Sequence, residues 1–164
     1  MRNKKSLLKI TYTAIFTALI LLATSVIKFS TGLGEGYIHL GDCFVYLSAC
    51  VLPFPYCLFA GALGGALADI LSGYAIWSIP TMVIKMLNAV PFALVCKKQK
   101  SNKILSKQTV LMAIISGAIT ILGYFVTECI LYSVASATLS LLGNVVQAVA
   151  SGIIFIIIAK ATDK

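Results

Sequence analysis

The stretch TVLMAIISGAITILGYFVTECILYS, Thr109–Ser133, carries one charged side chain, Glu128, in an otherwise apolar and small-polar run. A helix rising about 1.5 Å per residue needs about 20 such residues to cross a hydrocarbon core about 30 Å thick. The stretch predicts a transmembrane helix. On either side of it the pattern repeats. Leu7–Ile27, Ile38–Leu52, Tyr56–Ser72, Ile79–Cys96 and Leu141–Ala161 are further apolar segments. Lys28–Tyr37, with Gly32, Gly34 and Gly36, reads as an outer loop, and Pro53-Phe54-Pro55 as an inner turn where proline ends the helix. Gly73 through Pro80 forms a short outer connection, and a Ser/Ala-rich connection precedes the sixth segment.

Composition agrees with this reading. Of 164 residues, 60% are hydrophobic and 11% charged, whereas a soluble domain averages about 25% charged. The expected fold is an all-α integral membrane protein with six transmembrane helices and both termini cytoplasmic. Residues 1–164 form one membrane domain, without a repeat or linker. The N-terminal segment has a basic start like a signal peptide. Its apolar run is longer than a signal h-region and no small-residue cleavage site follows, so it reads as the first span.

The net charge of +8 raises nucleic acid as a partner, and the position of the charges argues against it. Arg2, Lys4, Lys5 and Lys9 precede the first span. Lys97, Lys98, Lys100, Lys103 and Lys107 fill one polar loop, and Lys160 and Lys164 end the chain. These segments lie an even number of spans apart, the positive-inside pattern of cytoplasmic loops beside anionic lipid. The cysteines Cys43, Cys50, Cys57, Cys96 and Cys129 fall in or beside apolar segments, with one histidine and no CxxC pair. They read as packing residues, and neither a metal nor a cofactor is expected.

Polar groups in lipid are costly, so those present turn toward protein or water. Here they form one stripe per helix. His39, Asp42 and Tyr46 share a face of the second span; Trp77, Thr81, Lys85 and Asn88 one of the fourth. Tyr124, Glu128 and Tyr132 share a face of the fifth span, and Asn144, Gln147 and Ser151 one of the sixth. With the termini inside, most of these lie toward the outer ends, and Lys85 is deepest, roughly 10 Å below the start of its helix. The inner halves offer little beyond small hydroxyls. The pattern describes a pocket closed below and open outward, partly aromatic and partly polar, suited to a small heterocycle. Glu128, Asn144 and Gln147 are the expected ligand contacts, with Tyr74, Trp77, Tyr124, Tyr132, Lys85 and Asn88 around them. Asp42, Asp69 and Lys85 also read as a structural charge network in which each neutralises another. Small residues make a second pattern: Ala14 and Ala18 in the first span, Gly61 and Gly65 in the third. Spacings of four let helices approach closely.

Several of these segments resemble the substrate-binding S-components of energy-coupling factor (ECF) transporters. They are Gly41-Asp42, Ala68-Asp69-Ile70-Leu71-Ser72-Gly73-Tyr74, Pro80-Thr81 with Ile84-Lys85, Gly123-Tyr124-Phe125 with Glu128, and Gly143-Asn144 with Gln147. The chain looks closest to the riboflavin and hydroxymethylpyrimidine branch, over nearly its whole length. The resemblance implies a six-helix protein of the plasma membrane that captures a vitamin or precursor from outside. It also implies docking on a transmembrane coupling protein driven by two cytoplasmic ATPases. The family's Ala-x-x-x-Ala docking motif matches Ala14 and Ala18, and the Asp/Lys elements shared between branches are assigned mainly to architecture. The chain has no Gly-x-x-x-x-Gly-Lys-Ser/Thr loop, so energy comes from partners. An intramembrane enzyme is disfavoured: His39 has no nucleophile elbow near it, and Asp42, Asp69 and Glu128 share no motif. A stand-alone facilitator or structural subunit is the alternative.

Overall fold

The computed structural model describes residues 2–30, 37–98 and 103–163. Gly32, Gly34 and Gly36 of the outer loop, Lys100 of the basic loop and Lys164 lie outside the described residues. In chain order the elements are α1 (Arg2–Ser25), β1 (Lys28–Ser30), β2 (Tyr37–His39), α2 (Gly41–Val51) and α3 (Tyr56–Leu71). A 3₁₀ turn (Ala75–Trp77) then leads into α4 (Ser78–Lys98), followed by α5 (Lys107–Leu131) and α6 (Val134–Thr162).

Lys4–Ser25, Ala75–Cys96, Lys107–Leu131 and Val134–Thr162 are long and apolar enough to cross a membrane; Gly41–Val51 and Tyr56–Leu71 are shorter apolar helices. At about 1.5 Å per residue, 11-residue α2 and 16-residue α3 reach only about 16 and 24 Å. The reasons for the short α2 are local. Leu52 precedes Pro53 and is forced to an extended backbone (φ −89°, ψ 142°), which stops the helix. At the other end Tyr37–His39 are drawn into an antiparallel pairing with Lys28–Ser30, with Lys28 opposite His39 and Ser30 opposite Tyr37. The expected second span therefore gives up its first three residues to strand and connection.

The sixth helix differs in the opposite direction. It starts at Val134, not Leu141, because Ser133 caps it by accepting a hydrogen bond from the Ser136 N–H at 3.2 Å. The Ser/Ala-rich segment is thus the first two turns of α6. At the far end, the Asp163 carboxylate accepts the backbone N–H groups of Ile104 and Leu105, each at 2.7 Å. That contact ties the end of α6 to the start of α5, where Ser106 and Thr109 form a reciprocal cap.

Small residues set how closely the helices pack. A Cβ on Gly64 would come within 2.8 Å of Ile20 on α1, and one on Gly65 within 2.8 Å of Thr81 on α4. The Gly61/Gly65 face therefore serves internal packing, against α4, whose Lys85 backbone lies 3.3 Å from a Cβ built on Gly61. At the end of the bundle away from the β-hairpin, Tyr46, Phe92 and Phe155 pack ring on ring, at 4.8 Å for Tyr46–Phe92 and 5.0 Å for Phe92–Phe155. Ala49, Leu52, Cys57, Ala113 and Ala159 fill the space around them. In the same region Cys50 and Cys96 bring α2 and α4 together, with sulfurs 3.1 Å apart.

Candidate ligand cavity

The polar stripes converge at the hairpin end of the bundle. Each helix there brings one face inward because its polar residues recur every three or four positions, as Ser116, Thr120, Tyr124 and Glu128 do along α5. Glu128, Asn144, Gln147, Tyr124, Trp77 and Tyr74 all line one cavity. Trp77 and Tyr124 stand 5.9 Å apart between ring centroids, and Tyr37 and Tyr74 5.1 Å apart. The cavity volume is about 40 Å³, room for a few waters at about 10–15 Å³ each. Buried polar atoms on its wall without a hydrogen-bond partner include Trp77 Nε1, Asp69 Oδ2, Asn144 Nδ2 and Ser140 Oγ. Such groups cost free energy until a ligand or water completes them.

Lys85, Asn88 and Tyr132 do not line the cavity. Lys85 is fully buried beneath it in an ion pair with Asp42. Asn88 is also below, donating from Nδ2 to Thr120 Oγ1 at 2.8 Å. Tyr132 is 42% exposed and stands behind Trp77, 6.1 Å between centroids.

These lower residues form a floor that joins four helices and the hairpin. Asp42 Oδ2 accepts from Gln147 Nε2 at 3.1 Å and from Thr120 Oγ1 at 3.4 Å. Gln147 Oε1 in turn accepts the His39 backbone N–H at 3.2 Å. His39 Nδ1 accepts the Gly41 N–H at 3.2 Å, and its Nε2 lies 3.4 Å from Lys85 Nζ. Lys85 also sits 5.6 Å from the centre of the Tyr124 ring, a distance at which a cation is held by the ring face. Gln147 thus borders the cavity with both ends of its amide already engaged.

Asp69 takes a different place from the one expected in the charge network. Among the described residues the direct ion pair of Lys85 is with Asp42, and Asp69 stays within its electrostatic reach without touching it. Asp69 stands on the cavity wall, where its Oδ1 accepts the Tyr37 hydroxyl at 2.7 Å. Burial, with Asp69 close by, raises the Tyr37 phenol above its ordinary value, so Tyr37 remains a donor at neutral pH.

A second concavity lies on the outside of the bundle. Ala14 and Ala18, with Ile10, Thr13, Thr17 and Leu21 of α1, face Tyr56 and Leu63 of α3 across a shallow groove. The groove is apolar in effect, because Thr13 and Thr17 donate their hydroxyls back to the carbonyls of Lys9 and Thr13.

A family model described as ECF-type riboflavin transporter, S component, matches residues 4–164. The chain belongs to this family. A search among curated proteins gave no significant match. S components of ECF transporters are integral plasma-membrane proteins that bind substrate for uptake, a transporter family and not an enzyme family, and they partner with a T component and ATPases.

Sequence reasoning did not assign this S component's Tyr37, Ile38, His39, Thr81, Ser140 or Gly143 to the site, and all of them line the cavity. Thr81 and His39 were on the polar stripes, and Ser140 lies four residues before Asn144, so part of the signal was present. Tyr37 and Ile38 carry no helical periodicity, since they reach the cavity from a strand.

Proposed function

We propose that this S component captures a heterocyclic vitamin or vitamin precursor from outside the cell. It passes that molecule inward as the substrate-specificity subunit of an ECF-type importer. The observation that carries the reading is the cavity at the hairpin end: aromatic walls, buried polar atoms still lacking partners, and an aromatic core filling the opposite end. The family's name makes riboflavin the first ligand to test, with hydroxymethylpyrimidine and pyridoxal-type rings beside it. Six helices lie across the membrane with both termini cytoplasmic, α2 and α3 packed into the bundle. Reporter cysteines at residues 100–104 are expected to label from the cytoplasm, and one at Ser136 from outside. Labelling of Ser136 from the inside alone would invert the cavity and end the reading.

Energy comes from a coupling protein and two cytoplasmic ATPases, since the chain has no phosphate-binding loop of its own. Proteoliposomes test this directly. Uptake is expected only with the coupling module and ATP; equilibration of substrate by this chain alone would make it a facilitator.

Asn144 is the contact to remove first. Its Nδ2 is buried without a partner on the cavity wall. Asn144→Ala is expected to weaken binding roughly 5- to 150-fold, the equivalent of about 1–3 kcal/mol, with folded yield retained. Gln147→Ala is expected to lose stability as well, because it also releases Asp42 and the His39 backbone. Titration of the purified variants with riboflavin and the smaller rings reads both effects. Unchanged affinity in Asn144→Ala would remove that residue from the site.

A further inference from the structure

Two of the five cysteines stand apart from the packing role expected of them all. Cys43 and Cys57 are 1% and 0% exposed, as packing residues are. Cys50, one residue before the end of α2, and Cys96, near the end of α4, are each half-buried, and their sulfurs lie 3.1 Å apart. Among the described residues no other two sulfurs meet in this way. Cys57 is within electrostatic reach of both without touching either. Packing accounts for a small apolar side chain at each position. It does not account for two partly open thiols brought into contact from separate helices.

The pair also has a counterpart further along the same two helices. Asp42 and Lys85 join α2 to α4 near the cavity, and Cys50 and Cys96 join them at the end away from it. A disulfide needs its sulfurs about 2.05 Å apart, so bond formation asks for an approach of about 1 Å, within the reach of side-chain rotation. The resulting cross-link would join residues 46 positions apart in the chain. It would restrict the unfolded chain and clamp α2 to α4 at both ends.

We propose that Cys50 and Cys96 form a peroxide-sensitive dithiol that closes reversibly into a disulfide between α2 and α4. One thiolate attacks a peroxide oxygen: an S–O bond forms, the O–O bond breaks, and hydroxide leaves and takes up the thiol proton as water. The second sulfur then attacks the sulfenic sulfur. The S–S bond forms, the S–O bond breaks, and the hydroxyl leaves as a second water with the second thiol proton. The two sulfurs lose two electrons and the peroxide gains them. In the orientation proposed above this end faces the cytoplasm, where thiols are kept reduced, so the open dithiol is the resting form. The chemistry itself does not depend on that orientation or on the identity of the vitamin.

The test uses the purified full chain, reduced, freed of reductant and treated with a small excess of hydrogen peroxide. The count of free thiols is expected to fall by two from five, with the intact mass lower by two hydrogens. Peptide mapping is expected to show Cys50 joined to Cys96. The thermal midpoint is expected to rise by about 5–15 °C and to return on adding dithiothreitol. Cys50→Ser and Cys96→Ser are each expected to abolish the cross-link and the rise, and to leave the remaining thiol as a sulfenic acid that dimedone traps. If either variant does not fold, the linkage map and the reversible midpoint shift of the unsubstituted chain decide alone. Overoxidation of single cysteines without a cross-link overturns the proposal. So does a disulfide that uses Cys43, Cys57 or Cys129, or a Cys50–Cys96 bond that forms only after the protein unfolds.

Discussion

Lys85→Ala is expected to yield little folded protein. The ammonium and the Asp42 carboxylate are both fully buried and pair with each other. Deleting one partner of such a pair costs about 3–5 kcal/mol, because the other charge is left without compensation. Against a total stability of about 5–15 kcal/mol, that loss removes much of the margin. The damage also spreads. Asp42 holds Gln147 and Thr120, Gln147 holds the His39 backbone, and Lys85 lies against the Tyr124 ring. The floor joins α2, α4, α5, α6 and the hairpin, so its failure loosens the cavity above. The measurement is the monodisperse fraction after detergent extraction and the thermal midpoint of what remains. Lys85→Met combined with Asp42→Asn is expected to restore most of the loss, since it removes both charges and keeps volume and hydrogen bonding near the original. A Lys85→Ala protein that folds normally but cannot bind ligand would move Lys85 into the binding site, and an anionic substrate would then be favoured.

The positions of the helices were legible in the sequence because lipid imposes long apolar runs and proline ends them. The fifth span, expected over Thr109–Ser133 and observed over Lys107–Leu131, shows how well that works. Two boundaries escaped for reasons that hydropathy does not register. Ser133 is polar, yet it starts α6 by capping it, so a segment that resembled a loop is helix. Ile38 and His39 were expected to open the second span, yet strand pairing claims them.

Within the site, the periodicity of polar residues identified which face of each helix turns inward. It could not assign partners. Whether Lys85 meets Asp42 or Asp69 depends on the relative height of α2, α3 and α4, and that height is set by contacts such as Gly65 against Thr81. In the folded chain, Asp42 takes the lysine and Asp69 faces the cavity. The same register explains why Gln147, expected as a free ligand contact, is held by the floor. Asn144, one turn toward the hairpin, keeps its amide nitrogen available.

Ala14→Trp and Ala18→Trp are expected to abolish ATP-driven uptake while leaving ligand affinity within about twofold of the original. Both alanines are exposed on α1, in a groove bordered by Tyr56 and Leu63 of α3. Inside a bilayer apolar surface gives no hydrophobic drive to association, so two helices pair where small residues allow their backbones to approach. An indole at either position fills the groove and holds a partner helix off by its own thickness. The cavity is unaffected, because none of the residues lining the groove lines the cavity. Ala14→Gly and Ala18→Gly serve as controls that keep the groove open. Co-purification with the coupling protein, ligand titration and uptake by proteoliposomes separate the possible outcomes. Loss of co-purification and uptake with binding intact assigns the groove to docking. Loss of binding together with uptake would mean that the bulk distorts the fold through the α1–α3 contact at Gly64. Normal uptake by both tryptophan variants would leave Ala14 and Ala18 as ordinary lipid-facing residues, and the docking surface would have to lie on another face of the bundle.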